Sequence, residues 1–211
     1  MIGVEKRRRM RQRLLDGLLA LCRQGQLFAP TIDTVIRRAA TSRGTFYNHF
    51  SSVDDALDTL CGELAATIVA DCRSMTARAM DPCERIALIL NTCLMRALVQ
   101  PALAECSEIV RHRVLSFALN EVLPPCLNAG IKAGTLGIPD SGIAFDLILG
   151  AMLRSMRSIG CEGGSRTNVR QITAMILQAL GLNAEAARTC ASESFERLDH
   201  EAPARLQWWL P

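Results

Sequence analysis

The sequence predicts an all-α protein, on three observations. Apolar residues recur at three- and four-residue spacing along most of the chain, and no segment alternates polar with apolar as a half-buried strand does. The apolar mass is Leu, Ala, Met, Ile, Val and Cys, with aromatic residues at only 4%. Leu, Met and Ala are good helix formers. With 49% apolar residues in 211, the chain can fill a core and is not broadly disordered. Its length suits one mid-sized domain, or a small one joined to a larger one.

The elements follow in order. Residues 1–10 read as a loose basic arm, and a first helix is expected over about 5–23, where Leu14, Leu15, Leu18, Leu19 and Cys22 form one stripe. Gly25 stops it, and Phe28 and Pro30 mark a turn. Thr31 caps a short second helix with Ile32, Val35, Ile36 and Ala39 inward. Ser42 caps a third over 43–50, and Ser52 with Asp55 resembles a capping box opening a long fourth helix. Asp81-Pro82-Cys83-Glu84 combines an N-cap, a first-position proline and a first-turn acid, so a helix runs from there to about 99. Another is expected over 102–122, broken or kinked by Pro124-Pro125, then a short one over 126–132. Helices over 140–159 and 168–180 follow, the second stopped by Gly181. Residues 183–190 add a turn or two, and residues 192–211 remain without assignment. The expected organisation is a head over 1–52, a body over 53–191 and a tail over 192–211.

Charge divides along the same line. Residues 1–50 hold ten Lys or Arg against three acids, a net of +7, whereas residues 51–211 hold fourteen against eighteen, a net of −4. A basic head on a mildly acidic body points to a polyanion at the head, although charge alone also fits a basic terminus that binds nothing.

The local pattern narrows this. Residues 31–50 have the plan of a helix-turn-helix: one helix capped by Thr31, a turn at Ala40-Thr41, and a second helix from Ser42. Ala39 and Ala40 let the helices cross closely, and Phe46 and Phe50, four apart, anchor the second helix. The string Ser42-Arg43-Gly44-Thr45-Phe46-Tyr47-Asn48-His49-Phe50 closely resembles the recognition-helix signature of the TetR family of bacterial transcriptional regulators. The resemblance covers about residues 10–60; the rest matches in plan, with a helical pair at the end of a variable body. The family usually has Gly and a β-branched residue in the turn, where Ala40 and Thr41 stand here, and often a Lys where Val53 stands.

The resemblance implies double-stranded operator DNA as partner, and the residue chemistry agrees. Thr31 and Ser42, at helix starts, suit phosphate. Tyr47, Asn48 and His49 bear polar groups on the exposed edge of the second helix, and the Tyr47 hydroxyl and His49 ring offer donors to phosphate oxygens. Arg43 has the fork that pairs with guanine O6 and N7. The Thr45 methyl suits a thymine methyl, and Gly44 lets the backbone come close. Arg7, Arg8, Arg9 and Arg11 suit the backbone or a minor groove.

The last two helices are apolar on more than one face, so each needs two partners. One face packs inward; the other is expected to meet a second copy in a four-helix bundle about a twofold axis, as the resemblance also implies, through Leu147, Ala151, Ile172, Met175, Ile176 and Ala179. Two heads then read half-sites about 34 Å apart. A small-molecule pocket in the middle helices is implied by the resemblance. Its candidates are polar groups in apolar helices and flexible apolar neighbours: Asn91, Met95, Arg96, His112, Phe117, Asn120 and Met152, with Thr92, Asn128 and Met75 in reserve.

Other classes fare worse. The three histidines lie far apart, with no phosphate-binding glycine loop and no nucleophile motif, so an enzyme is a distant alternative. No CxxC and no Cys–His spacing suits zinc, and neither cofactor nor metal is expected. Nine cysteines leave one alternative open, a thiol redox sensor of the same fold. However, Cys83 and Cys106 each adjoin a glutamate, which disfavours a thiolate, and most cysteines occupy apolar positions. No apolar stretch reads as a membrane span and no cleavage signal follows the basic start, so a reduced, cytoplasmic setting is expected.

Overall fold

The computed structural model describes residues 2–23 and 30–209. Among them the chain is all-helical, with no strand. The head comprises α1 (Ile2–Arg23), α2 (Ile32–Arg38) and α3 (Arg43–Tyr47); α4 (Val53–Thr76) leads out of it. The body continues as α5 (Pro82–Val99), α6 (Glu108–Ala133), α7 (Ser141–Cys161), α8 (Arg166–Ala179) and α9 (Ala184–Arg205). The expected stop at Gly25 and turn at Phe28 lie outside the described residues.

Caps fix most helix starts. Side-chain oxygens of Thr31, Ser42, Ser52, Asp81, Asp140, Ser165 and Asn183 each accept from the backbone N–H three residues on. The central helix is α5, which touches α4, α6, α7, α8 and α9. That surrounding explains why residues 86–95 are buried without a break. The head's core is Leu14, Leu15 and Leu18 of α1, Val35 and Ala39 of α2, and Phe46 and Phe50 at α3, all buried.

Four expectations need correcting. The N-terminal basic run is no loose arm but part of α1, where Arg8 and Arg9 both reach Glu5 at 3.1 Å. Second, α6 continues through Pro124-Pro125. Each proline removes one helical bond and frees the carbonyl four residues back. Those carbonyls belong to Asn120 and Glu121, two exposed residues, while Val122, Leu123, Cys126 and Leu127 hold the helix to the core on either side.

Third, residues 101–106 are turns rather than the start of that helix. Buried Arg111 of α6 holds them, donating from Nη1 to the carbonyls of Ala104 (3.0 Å) and Cys106 (2.8 Å). Fourth, residues 192–205 belong to α9, which packs on α5 and α8. Its buried stripe is Ala187, Ala191, Phe195, Leu198 and Ala202, spaced for one helix face. Three alanines in that stripe carry little hydrophobic signal, which hid it in the sequence. Beyond α9, Trp208 and Trp209 are buried, and Trp208 Nε1 donates to Asp71 of α4 at 2.7 Å. By length and composition α6 alone among the described helices is apolar enough to cross a membrane; here it packs against α4, α5 and α7.

Candidate nucleic-acid interface

The outer edge of α2 and α3 is built by two caps and one aromatic pair. Thr31 Oγ1 accepts from Thr34 N at 3.3 Å, and Thr34 Oγ1 accepts from Thr31 N at 2.9 Å. Ser42 Oγ accepts from Thr45 N at 3.1 Å and lies 2.9 Å from Thr45 Oγ1. Between the two helices, Ala40 has φ +47°, the left-handed region that glycine adopts freely and alanine does not. Arg13 of α1 secures this turn by donating to the Ala39 carbonyl at 2.7 Å. Phe46 is fully buried beside Phe50, ring centroids 5.8 Å apart, so α3 cannot rotate without emptying the head's core.

That anchoring decides what α3 shows outward. Ser42, Arg43, Gly44, Tyr47 and Asn48 are exposed, and Thr31 at the start of α2 is exposed as well. Thr45 and His49 are half-buried on the side facing α1. There Lys6, Arg7 and Met10 of α1 meet Thr45, Asn48 and His49 around a groove of about 550 Å³. Arg7 reaches the Asn48 carbonyl at 3.5 Å. Burial, then Arg7 and Arg11, depresses the His49 pKa below its ordinary value. The imidazole is therefore neutral at pH 7, with one N–H to donate.

One participant escaped the sequence reading. Asp33 of α2 accepts from Arg43 Nη2 at 2.8 Å. The pair spans the two helices and holds the guanidinium at the outer edge, leaving its other nitrogens free. Only their juxtaposition across the turn, ten residues apart in sequence, reveals it. Arg11 pairs with Glu63 of α4 at 2.5 Å and lies over the Phe50 ring, so it ties head to body.

The pocket candidates do not converge. Asn91, Met95 and Met152 are buried in the core. Asn91 spends its amide there, donating to the Ala191 carbonyl (3.2 Å) and accepting from Thr173 Oγ1 (2.7 Å). Arg96 is held by Asp71 and donates to Thr67 Oγ1 at 2.9 Å near Trp208. His112 is exposed; Phe117 and Asn120 line an outer groove of about 500 Å³ between α4 and α6. In reserve, Thr92 bonds the Leu88 carbonyl, Asn128 is exposed and Met75 is buried. A polar residue in an apolar helix marks that helix without fixing which face it occupies.

The residues expected to meet a second copy are exposed only in part. Met175 is 68% exposed, Ala179 is exposed, and Leu147, Ala151 and Ile172 are half-buried. Ile176 is the correction: at 3% exposure it belongs to the chain's own core. The α8 helix packs against α5, α7 and α9, so α9 takes up apolar surface that the sequence suggested was left for a second copy.

Among the described residues no group of three His, Cys, Asp or Glu is placed to hold a metal ion. Seven cysteines are buried. Burial pushes the Cys22 thiol up to about 11 and the Cys106 thiol up to about 12, away from the thiolate a sensor needs. Cys72 and Cys93 face each other at 3.8 Å, both buried, and the Cys72 thiol is likewise held protonated by its Cys93 neighbour and by burial.

No family model matches the sequence, and no curated protein is significantly similar to it. Solved structures are similar in fold. RolR in complex with resorcinol aligns over 90% of this chain and 96% of its own, at 21% identity and a TM-score of 0.63. The fatty acid degradation regulator FadR from Bacillus halodurans aligns over 82% of this chain and 96% of its own, at 19% identity and 0.65. A TetR family transcription regulator from Marinobacter aquaeolei VT8 aligns over 93% and 98%, at 14% and 0.57. The chain has the fold of TetR-type transcription regulators.

Proposed function

We propose that this protein is a TetR-like transcriptional regulator, a repressor, that binds palindromic operator DNA as a homodimer in the cytoplasm and is released by a small molecule. The carrying observation is the exposed edge of α3. An anchored helix presents Arg43, Gly44, Tyr47 and Asn48 outward, with Lys6 and Arg7 of α1 alongside. In this reading Arg43 pairs with a guanine while Asp33 steadies it, and Thr45 meets a thymine methyl. Thr31, Ser42, Tyr47, Asn48 and His49 contact phosphates.

Two connections support a regulated head. One is α4, continuous from head to body and paired to α1 through Glu63 and Arg11. The other is the 101–107 segment: Ser107 N donates to the Cys22 carbonyl at 3.2 Å, and Arg23 reaches Glu105 at 2.7 Å. Movement of that segment against α6 tilts α1 and the reading helix with it. The second copy is met through Ile143, Leu147 and Ala151 of α7 and Ile172, Met175 and Ala179 of α8. Ile143 and Met175 expose apolar surface that a monomer gains nothing by showing. The small-molecule effector rests on the fold similarity to RolR bound to resorcinol.

Selection of bound duplexes from random oligonucleotides tests the reading. A palindromic consensus with half-sites about one helical turn apart, retained less strongly as salt rises, is expected. No salt-dependent retention on any duplex overturns it.

A further inference from the structure

The basic head carries three acids, Glu5, Asp16 and Asp33, and uses them differently. Glu5 is held by Arg8 and Arg9 along α1, and Asp16 accepts from Gln12 one turn back at 3.0 Å. Of the three, Asp33 alone stands on the outer edge beside α3. Its side chain is 61% exposed, and that of its partner Arg43 is 58% exposed. Asp33 Oδ1 accepts from Arg43 Nη2 at 2.8 Å; among the described residues no donor meets Oδ2.

A carboxylate on an edge that meets DNA is repelled by every phosphate. In the major groove it finds donors of one kind, the N4 amino group of cytosine and the N6 amino group of adenine. Guanine O6 and thymine O4 are acceptors and repel it there. A carboxylate entering the groove therefore sorts bases by amino group against carbonyl. An acid in the first turn of α2 also suits the helix dipole. That effect is indifferent to the face the carboxylate takes, whereas the bond to Arg43 fixes it beside the guanidinium.

The distance selects the base pair. Stacked base pairs lie about 3.4 Å apart. An acceptor one hydrogen bond, 2.8 Å, from Arg43 Nη2 is therefore within a single step of the pair that Arg43 meets. Arg43 fills the O6 and N7 edge of its guanine, which leaves Asp33 Oδ2 to the neighbouring pair. On the basis of the proposed DNA-binding function, we propose that Asp33 is a specificity-determining residue. Its Oδ2 accepts from the amino group of a cytosine or adenine next to the guanine taken by Arg43, and it turns away guanine or thymine at that position of the strand.

Asp33→Asn separates this role from mere support of Arg43. The amide oxygen still accepts from Arg43, while an NH2 group replaces Oδ2 and donates to a carbonyl instead. Selection from random oligonucleotides, then binding titrations on the consensus and its single-base variants, compares it with the unaltered chain. In the unaltered chain, guanine or thymine at the neighbouring position weakens binding roughly 5- to 150-fold. Asp33→Asn loses or reverses that preference at this one position, keeps the guanine under Arg43, and retains full helix content. Asp33→Ala loses it too and relaxes the guanine position as well. If the unaltered chain selects a palindrome but Asp33→Asn keeps the same preference at every position, or weakens equally on all sequences, the role of Asp33 is overturned and the regulator reading stands. If the unaltered chain retains no duplex, the regulator reading falls and takes this role with it.

Discussion

Replacing neighbouring residues 175 and 176 by aspartate, one at a time, tests whether the outer face of α8 associates and its inner face holds the chain together. Ile176 is 3% exposed and Met175 68% exposed, although they adjoin in the same helix. At Ile176 the substitution removes a buried aliphatic side chain, costing about 2–5 kcal/mol. It also leaves an unpaired carboxyl in an apolar site, costing several kcal/mol more whether ionised or driven to take up a proton. The total approaches the roughly 5–15 kcal/mol that holds a whole domain folded. Ile176→Asp therefore yields little soluble, helical protein at any concentration. At Met175 the single chain loses no more than about 0.5 kcal/mol, since the side chain is mostly in water. In a twofold interface, however, the substitution occurs twice across the axis. Met175→Asp keeps full helix content and shifts the dimer to monomer, raising the dissociation constant at least tenfold. Circular dichroism with light scattering after size exclusion reads both. A folded monomer from Ile176→Asp would refute the core assignment of α8, and an undisturbed dimer from Met175→Asp would refute the proposed face.

Three further outcomes are expected. Ala40→Gly relieves a left-handed residue at φ +47°, offset by the greater freedom glycine brings to the unfolded chain; a net gain of about 0.5–1 kcal/mol, or 1–4 °C in thermal melts, is expected, whereas Ala40→Val lowers the melting temperature. Arg43→Ala weakens operator binding roughly 5- to 150-fold and relaxes preference at one base pair, with unchanged thermal stability because its partner Asp33 is exposed; equal loss on every DNA sequence in a binding titration would contradict base reading. Alkali loosens the seam between α1 and the 101–107 segment. Folded Cys22 and Cys106 keep their protons to about 11 and about 12, against an ordinary value near 9, so their contribution is complete below pH 9 and declines from there to 12. Denaturation followed across that window in Cys22→Ala/Cys106→Ala should show a shallower decline than the unaltered chain; parallel curves would refute the link.

The core of this molecule is crossed by polar groups that bind one another. Asn91, Thr173 and the Ala191 carbonyl join α5, α8 and α9 through two hydrogen bonds in a fully buried position. Such a group stabilises one register of the three helices, because sliding any of them leaves an amide or hydroxyl unpaired. Arg111 does comparable work at the 101–106 turns, where its guanidinium binds two carbonyls at the end of a chain segment.

The helical class, most caps and the plan of the head were legible in the sequence because each is a local matter. A Ser, Thr, Asp or Asn just before a helical run can accept from the amide three residues on without help from distant segments, and Phe46 and Phe50, four apart, fall on one face in any helix. The exposure of Arg43, Gly44, Tyr47 and Asn48 followed from that geometry, whereas the half-burial of Thr45 and His49 against α1 did not. What depended on distant segments was decided only by tertiary structure. Asp33 meets Arg43 because the turn at Ala40 folds α2 back across α3. The helix α6 survives two prolines because the exposed Asn120 and Glu121 carry the freed carbonyls while Val122, Leu123, Cys126 and Leu127 are held in the core. Ile176 is interior and Met175 exterior because α8 packs among α5, α7 and α9, and the alanine-rich stripe of α9 carries little hydrophobic signal. Periodicity tells a helix which of its faces are apolar; which neighbour covers each face is settled by the packing of the whole chain.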